Sequence, residues 1–105
     1  MVVAKVIGEI VSSVKVDRMV GQKLLLVEVQ KLDRTSPENK LIPTGTTLVA
    51  NDPVGAGRGE IVLVVQGSSA RMTDITATLP TDGIIIGIVD SINIESETIY
   101  NKNKG

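Results

Sequence analysis

Three alternating glycines, Gly55, Gly57 and Gly59, form the part of this sequence that comes nearest to a ligand-binding loop. A phosphate-binding loop has glycine-rich backbone N–H groups that lead into a helix, usually through Gly-Lys-Ser or Gly-Lys-Thr. Here Glu60 and a run of β-branched residues follow the last glycine, which predicts a strand. The spacing also differs from the dinucleotide-binding fingerprint. We therefore interpret these glycines as structural, permitting either positive φ or the close approach of another chain.

Two serines and one aspartate are the other candidates for chemistry. Ser68 and Ser69 would need a base to act as nucleophiles, and the sequence contains no histidine. They are interpreted as the N-cap of a short helix, with a weak anion site that includes Arg71 as the alternative. Asp90 stands among isoleucines and needs a partner if it is buried. A structural ion pair with Arg71, or hydrogen bonds from backbone N–H groups, would provide one.

The composition removes several classes of function. The absence of cysteine and histidine excludes cysteine nucleophiles, Ser-His-Asp triads and most zinc ligation, and no acidic loop has EF-hand spacing. Tyr100 is the single aromatic residue and the net charge is -1, which disfavours a nucleic-acid surface. We therefore expect no enzyme activity, no cofactor, no metal site and no nucleic-acid partner.

Membrane insertion and export are not indicated either. No apolar run approaches the roughly 18 residues that a membrane-spanning helix needs. The first residues do not follow the pattern of a signal peptide. We expect a cytoplasmic protein that has no membrane partner.

The elements that must position these residues are predicted to be strands, because Val, Ile and Thr make up about a third of the chain. Alternation of apolar and polar residues predicts strands at residues 2–13, 23–32, 46–51, 60–66 and 83–94. Residues 33–45 are predicted to form a surface loop, and a short helix is expected between the last two strands. The length of 105 residues fits one domain, residues 1–94, followed by a polar tail at 95–105 that is loosely held.

Five strands in so short a chain favour an all-β fold, a small five-stranded OB-like β-barrel with one short helix. A two-sheet sandwich is the alternative. The second and fourth strands are apolar on both faces, although a small barrel can bury only one face of each strand. The outer face is therefore predicted to be a subunit interface, unless loops or the tail cover it.

The segment DPVGAGRGEIVLVVQGSSAR at residues 52–71 resembles the central signature of the bacterial microcompartment vertex proteins, the EutN/CcmL family. GEIV at residues 8–11, GQKLLLV at 21–27 and PTDGIIIGIVD at 80–90 are similar to the flanking parts of that family. The resemblance extends over about residues 2–94.

This resemblance implies a structural, carboxysome-like shell protein. It implies an OB-like barrel that assembles as a cyclic homopentamer and caps the vertices of a bacterial microcompartment, beside hexagonal shell proteins in the facets. The glycine turn is then expected near a subunit interface or the axial opening, through Val54, Gly55, Ala56, Gly57, Arg58 and Gly59. Two other functions remain open: a monomeric OB-like module that binds nucleic acid or peptide, and a small enzyme with a ligand cleft.

Overall fold

The computed structural model of this chain describes residues 1–11, 23–35, 40–66, 82–95 and 97–104. Almost all regular structure in these residues is β, as the β-branched composition predicts. The strands are β1 (Val2–Ile10), β2 (Leu24–Asp33), β3 (Lys40–Asn51), β4 (Ile61–Gln66), β5 (Gly83–Ile88), β6 (Ser91–Ile94) and β7 (Glu97–Asn101). A short 3-10 helix, Lys102–Lys104, follows β7.

The first five strands form a closed barrel in the order β1-β2-β3-β5-β4, with β4 paired back to β1. The contact between β3 and β5 is parallel, and the other pairs in the barrel are antiparallel. Closure gives each of the five strands two neighbours, and β3 meets β5 at Ala50 and Asn51. The expected five-stranded barrel is thus confirmed, and the alternative of a two-sheet sandwich is wrong. The helix expected between β4 and β5 lies outside the described residues.

The barrel interior is filled by small and medium apolar side chains. In β1 the even positions Ala4 and Val6 point inward, as the alternation predicts, and the odd position Lys5 is exposed. The buried cluster consists of Ala4, Val6, Leu25, Val27, Ala50, Ala56, Val62, Val64 and Ile85. On the outer side of the barrel, Leu26 and Leu63 are only half-buried within the subunit. The predicted surplus of apolar surface is therefore present on the folded chain.

Strand β3 is longer than the sequence predicts. It begins at Lys40, which pairs with Asp33, so part of the predicted loop at residues 33–45 belongs to a long β2–β3 hairpin. Pro43 lies opposite Gln30, beside a register shift at which β3 contains the extra residues. A bulge already interrupts the ladder there, so the missing N–H of proline costs little.

The predicted last strand at residues 83–94 is divided in two. β5 ends at Ile88 inside the barrel, and β6 pairs instead with β7, from Ser91 opposite Asn101 to Ile94 opposite Glu97. The predicted boundary between residues 94 and 95 therefore falls inside a hairpin. Most of the residues expected to be a loose tail are the second strand of that hairpin and the 3-10 helix.

The predicted isoleucine stripe on this segment is also wrong in one respect. Ile85 is fully buried in the core and Ile86 is 49% exposed. The cause is a bulge in β5, which breaks the two-residue period on which the prediction depended.

Candidate functional site

The glycine turn that joins β3 to β4 is organised by the carboxylate of Asp52. Its Oδ1 accepts hydrogen bonds from the N–H groups of Val54 and Gly55, both at 3.0 Å, and its Oδ2 accepts one from Ala56 at 2.8 Å. Aspartate side chains favour this kind of local contact with downstream backbone N–H groups. Gly55 has φ +93°, a conformation that glycine adopts without steric cost.

A lysine from the start of β2 completes this arrangement. The Nζ atom of Lys23 lies 3.5 Å from Oδ2 of Asp52 and donates a hydrogen bond to the carbonyl oxygen of Ala56 at 3.1 Å. The N–H of Asp52 donates in return to the carbonyl of Lys23 at 2.9 Å. The Asp52 side chain is fully buried, so its charge has to be paired and hydrogen-bonded as it is here.

The second half of the turn is held by Glu60. Its Oε1 accepts a hydrogen bond from the N–H of Gly57 at 2.6 Å, and the N–H of Glu60 donates to the carbonyl of Gly57 at 3.1 Å. Gly59, with φ +88°, donates its N–H to the carbonyl of Val6 at 2.8 Å, which fixes the turn to β1.

The 3-10 helix after β7 reaches back to this turn through Lys102. The Nζ atom of Lys102 lies 3.6 Å from Oε2 of Glu60 and 3.5 Å from Oδ1 of Asp90. The N–H of Lys102 also donates to the carbonyl of Asp90 at 2.9 Å. One lysine thus connects the C-terminal hairpin to the carboxylate that holds Gly57, and we refer to Glu60, Lys102 and Asp90 as the Lys102 bridge.

The six residues predicted to form a contact are not equivalent. Ala56 is 1% exposed and belongs to the core, so its side chain is not available at the surface. The other five residues, Val54, Gly55, Gly57, Arg58 and Gly59, are exposed.

The residues predicted as caps or ion pairs are placed as follows. The side chain of Asp90 is exposed, and its partner among the described residues is Lys102. Ser68, Ser69 and Arg71 lie outside the described residues, as does any contact between Arg71 and Asp90.

The comparisons with known proteins agree over nearly the whole chain. Residues 1–90 match the family described as "Ethanolamine utilisation protein EutN/carboxysome". The carboxysome shell vertex protein CcmL of Synechocystis sp. is 43% identical, over 97% of this chain and 95% of that protein. The shell vertex protein EutN of Escherichia coli is 40% identical, over 97% of this chain and 100% of that protein. The chain belongs to the EutN/CcmL family.

A solved structure of this family agrees with the barrel described above. It is the GrpN pentameric microcompartment shell protein of Rhodospirillum rubrum, which is 42% identical to this chain. The match has a TM-score of 0.70 and covers 90% of this chain and 99% of that one.

For this member of the family, the geometry explains why the glycine turn is not a phosphate site. The N–H groups that a bound phosphate would need are already donated to the carboxylate of Asp52. A carboxylate of the chain itself therefore occupies the place of an anion. Among the described residues, no three acidic side chains come together as a metal site would require. No helix in the described part of the chain is long and apolar enough to cross a membrane.

Sequence reasoning did not find the residues that build the turn. The signal for Asp52 was available, since an aspartate before proline and glycine is a typical turn start. Lys23 and Lys102 gave no such signal, because they are distant from the turn in sequence. The pairing of β2 with β3 brings Lys23 to the turn, and the C-terminal hairpin brings Lys102.

Proposed function

We propose that this protein closes the vertices of a bacterial microcompartment shell as a homopentamer, beside hexagonal shell proteins that form the facets. The observation that carries the proposal is the match, over nearly the full chain, to shell vertex proteins and to a pentameric shell protein of the same fold. The protein is structural and not an enzyme, and it works within the microcompartment shell in the bacterial cytoplasm.

The proposed task is geometric. A cyclic ring closes with five copies when each head-to-tail contact rotates the next subunit by one fifth of a turn. A layer built of hexagons alone stays flat, so fivefold points are needed to give it curvature and to close it. The contact surfaces of the subunit must therefore have a fixed shape.

The glycine turn meets that requirement, and we assign it to a subunit contact or to the rim of the axial opening. Val54 is 43% exposed although it is apolar, which favours a position against another chain. The bonds from Asp52 and Glu60 hold the turn in one conformation before assembly. A turn that is already ordered loses less conformational entropy on binding.

The test is co-assembly. A hexagonal facet protein from the same microcompartment is produced with and without this chain, and the products are imaged by electron microscopy. We expect closed polyhedral shells with the chain, and flat sheets, tubes or shells with open corners without it. Native mass spectrometry of the chain alone should give a species of about 55 kDa, five times the 11.1 kDa subunit.

The outcome that contradicts the proposal is equally specific. A chain that stays monomeric at all concentrations, and that does not change the products of the facet protein, is not a vertex protein. The alternative of a monomeric OB-like binding module would then be examined by fluorescence anisotropy with single-stranded oligonucleotides at low and high salt.

A further inference from the structure

Two of the register shifts in the barrel are β-bulges that each consist of an isoleucine followed by a glycine. In β1 the register moves from Val6 opposite Val27 to Gly8 opposite Leu26, so Ile7 is the extra residue. A bulge leaves its extra residue outside the ladder and redirects its side chain. Ile7 is 39% exposed as a result.

The second bulge repeats this arrangement in β5. The register there moves from Gly87 opposite Leu63 to Ile85 opposite Val64, so Ile86 is the extra residue and is 49% exposed. Ile7 and Ile86 are the two large hydrophobic residues that stand exposed within the described strands. Both exposed isoleucines are therefore produced by the bulges and are not scattered surface residues.

The glycines beside them are not required by the subunit itself. A Cβ atom at Gly8 or Gly87 would meet no heavy atom within 4 Å, and neither glycine has positive φ. Glycine in a strand costs conformational entropy relative to alanine. Each glycine also faces a half-buried leucine across the ladder, Leu26 or Leu63, so each leaves a recess in an apolar outer surface.

We propose that these two Ile–Gly bulges are the two sides of the contact between neighbouring subunits. One side, the Ile86 patch, consists of Ile86, Gly87 and Leu63. The other, the Ile7 patch, consists of Ile7, Gly8 and Leu26. The Ile86 patch of one copy packs against the Ile7 patch of the next copy, and each isoleucine fills the recess above the other chain's glycine.

This inference rests on the proposed function, because a closed ring needs a contact of this kind. In a cyclic ring two different patches of the same chain meet head to tail. The two bulges satisfy this, since β1 and β5 lie on opposite sides of β4. Ile7 lies near the start of β4, because the carbonyl of the preceding Val6 accepts a hydrogen bond from Gly59. Ile86 lies farther along β4, beside Leu63 on that strand. The patches are therefore separate and apolar, and each combines an exposed isoleucine with a glycine.

The experiment uses two variants of the full chain, Ile7→Glu and Ile86→Glu. Each removes one patch and leaves the other intact. At a concentration where the wild type is a ring, native mass spectrometry should show each variant alone as a monomer of 11.1 kDa. An equimolar mixture should form a heterodimer of twice that mass, because Ile7→Glu keeps an intact Ile86 patch and Ile86→Glu keeps an intact Ile7 patch. The mixture should form no ring.

Two further variants separate this contact from effects on folding. Val11→Glu introduces the same charge at an apolar residue that is 93% exposed and outside the bulges, and it should remain a ring. Gly87→Val introduces no charge, and its Cβ atom would meet no heavy atom of the subunit within 4 Å, so it should give a folded chain by circular dichroism that no longer forms the ring.

Several results would overturn the inference. A ring formed by Ile86→Glu, by Ile7→Glu or by Gly87→Val would show that the altered patch is not a contact. Folded monomers that fail to pair in the mixture would show that the two patches do not meet. If the wild type forms a ring, either result contradicts this inference and leaves the proposed function intact. If the wild type itself forms no ring, the proposed function is contradicted instead.

Discussion

The Nζ atom of Lys23 lies 3.5 Å from Oδ2 of Asp52, and this pair joins the first residue before β2 to the turn after β3. Asp52 is the more important member of the pair. Its side chain is fully buried and accepts three backbone hydrogen bonds, whereas the side chain of Lys23 is 47% exposed. The conformation of the glycine turn therefore depends mainly on one carboxylate.

Replacement of Asp52 by alanine is expected to lower the free energy of unfolding by about 3 kcal/mol, because the buried N–H of Ala56 and the partly buried N–H groups of Val54 and Gly55 lose their acceptor. Lys23→Met removes a half-exposed charge and should cost about 1 kcal/mol or less. Urea unfolding at one fixed protein concentration measures both, since assembly makes stability depend on concentration. Equal losses in the two variants would contradict the central role of Asp52.

The positive φ of Gly55 gives a second prediction. A Cβ atom at Gly55 would meet nothing within 4 Å, so a substitution there tests backbone strain alone. Gly55→Ala should cost roughly 1–2 kcal/mol, the cost of placing an L-residue in the left-handed region. Gly55→Asn is the matched control and should lose less, because asparagine tolerates that region better than alanine does. If both variants unfold at the same temperature as the wild type, Gly55 does not hold this conformation in the turn.

The Lys102 bridge predicts a local effect without a global one. Its three charged side chains are all in contact with solvent, from 30% exposed for Glu60 to 83% for Asp90, so Lys102→Met should change the free energy of unfolding by about 1 kcal/mol or less. Glu60 would nevertheless lose a partner, and the amide of Gly57 that it holds should exchange its hydrogen faster. Hydrogen–deuterium exchange measures this. Lys31→Met, on the exposed side of β2, is the control and should leave the exchange of Gly57 unchanged.

Composition and alternation were sufficient to predict the barrel, because β1 has a clear inward face at Ala4 and Val6. They were not sufficient for β4, where both faces are apolar. The structure places Val62 and Val64 inside and leaves Leu63 half-buried on the outside. Alternation distinguishes the faces of a strand only when one of them is polar.

The bulges and the C-terminal hairpin could not be predicted from the sequence, for a related reason. A bulge inserts one residue into the period of two, and nothing in the run of isoleucines at residues 84–86 marks Ile86 as that residue. The polar residues Glu97 and Thr98 predict a tail at the position of β7. Its pairing with β6 depends on a partner strand, which local composition does not reveal.

The exposed position of Val54 predicts how assembly responds to a charge in the turn. Val54 is 43% exposed in the single subunit, so Val54→Asp should leave the folding of the chain intact. If the turn lies at a subunit contact, the new carboxylate would have to be buried without a partner, which is unfavourable. A cost of about 1.4 kcal/mol per contact already weakens association tenfold, and a ring contains several such contacts. On dilution, we therefore expect the Val54→Asp ring to dissociate at a protein concentration at least about ten times higher than the concentration at which the wild-type ring dissociates.

Native mass spectrometry over a dilution series measures this. Val54→Thr is the control of nearly the same shape and should remain close to the wild type. A Val54→Asp ring that resists dilution as the wild type does would place the turn away from the contact, at the rim of the opening or on an outer surface.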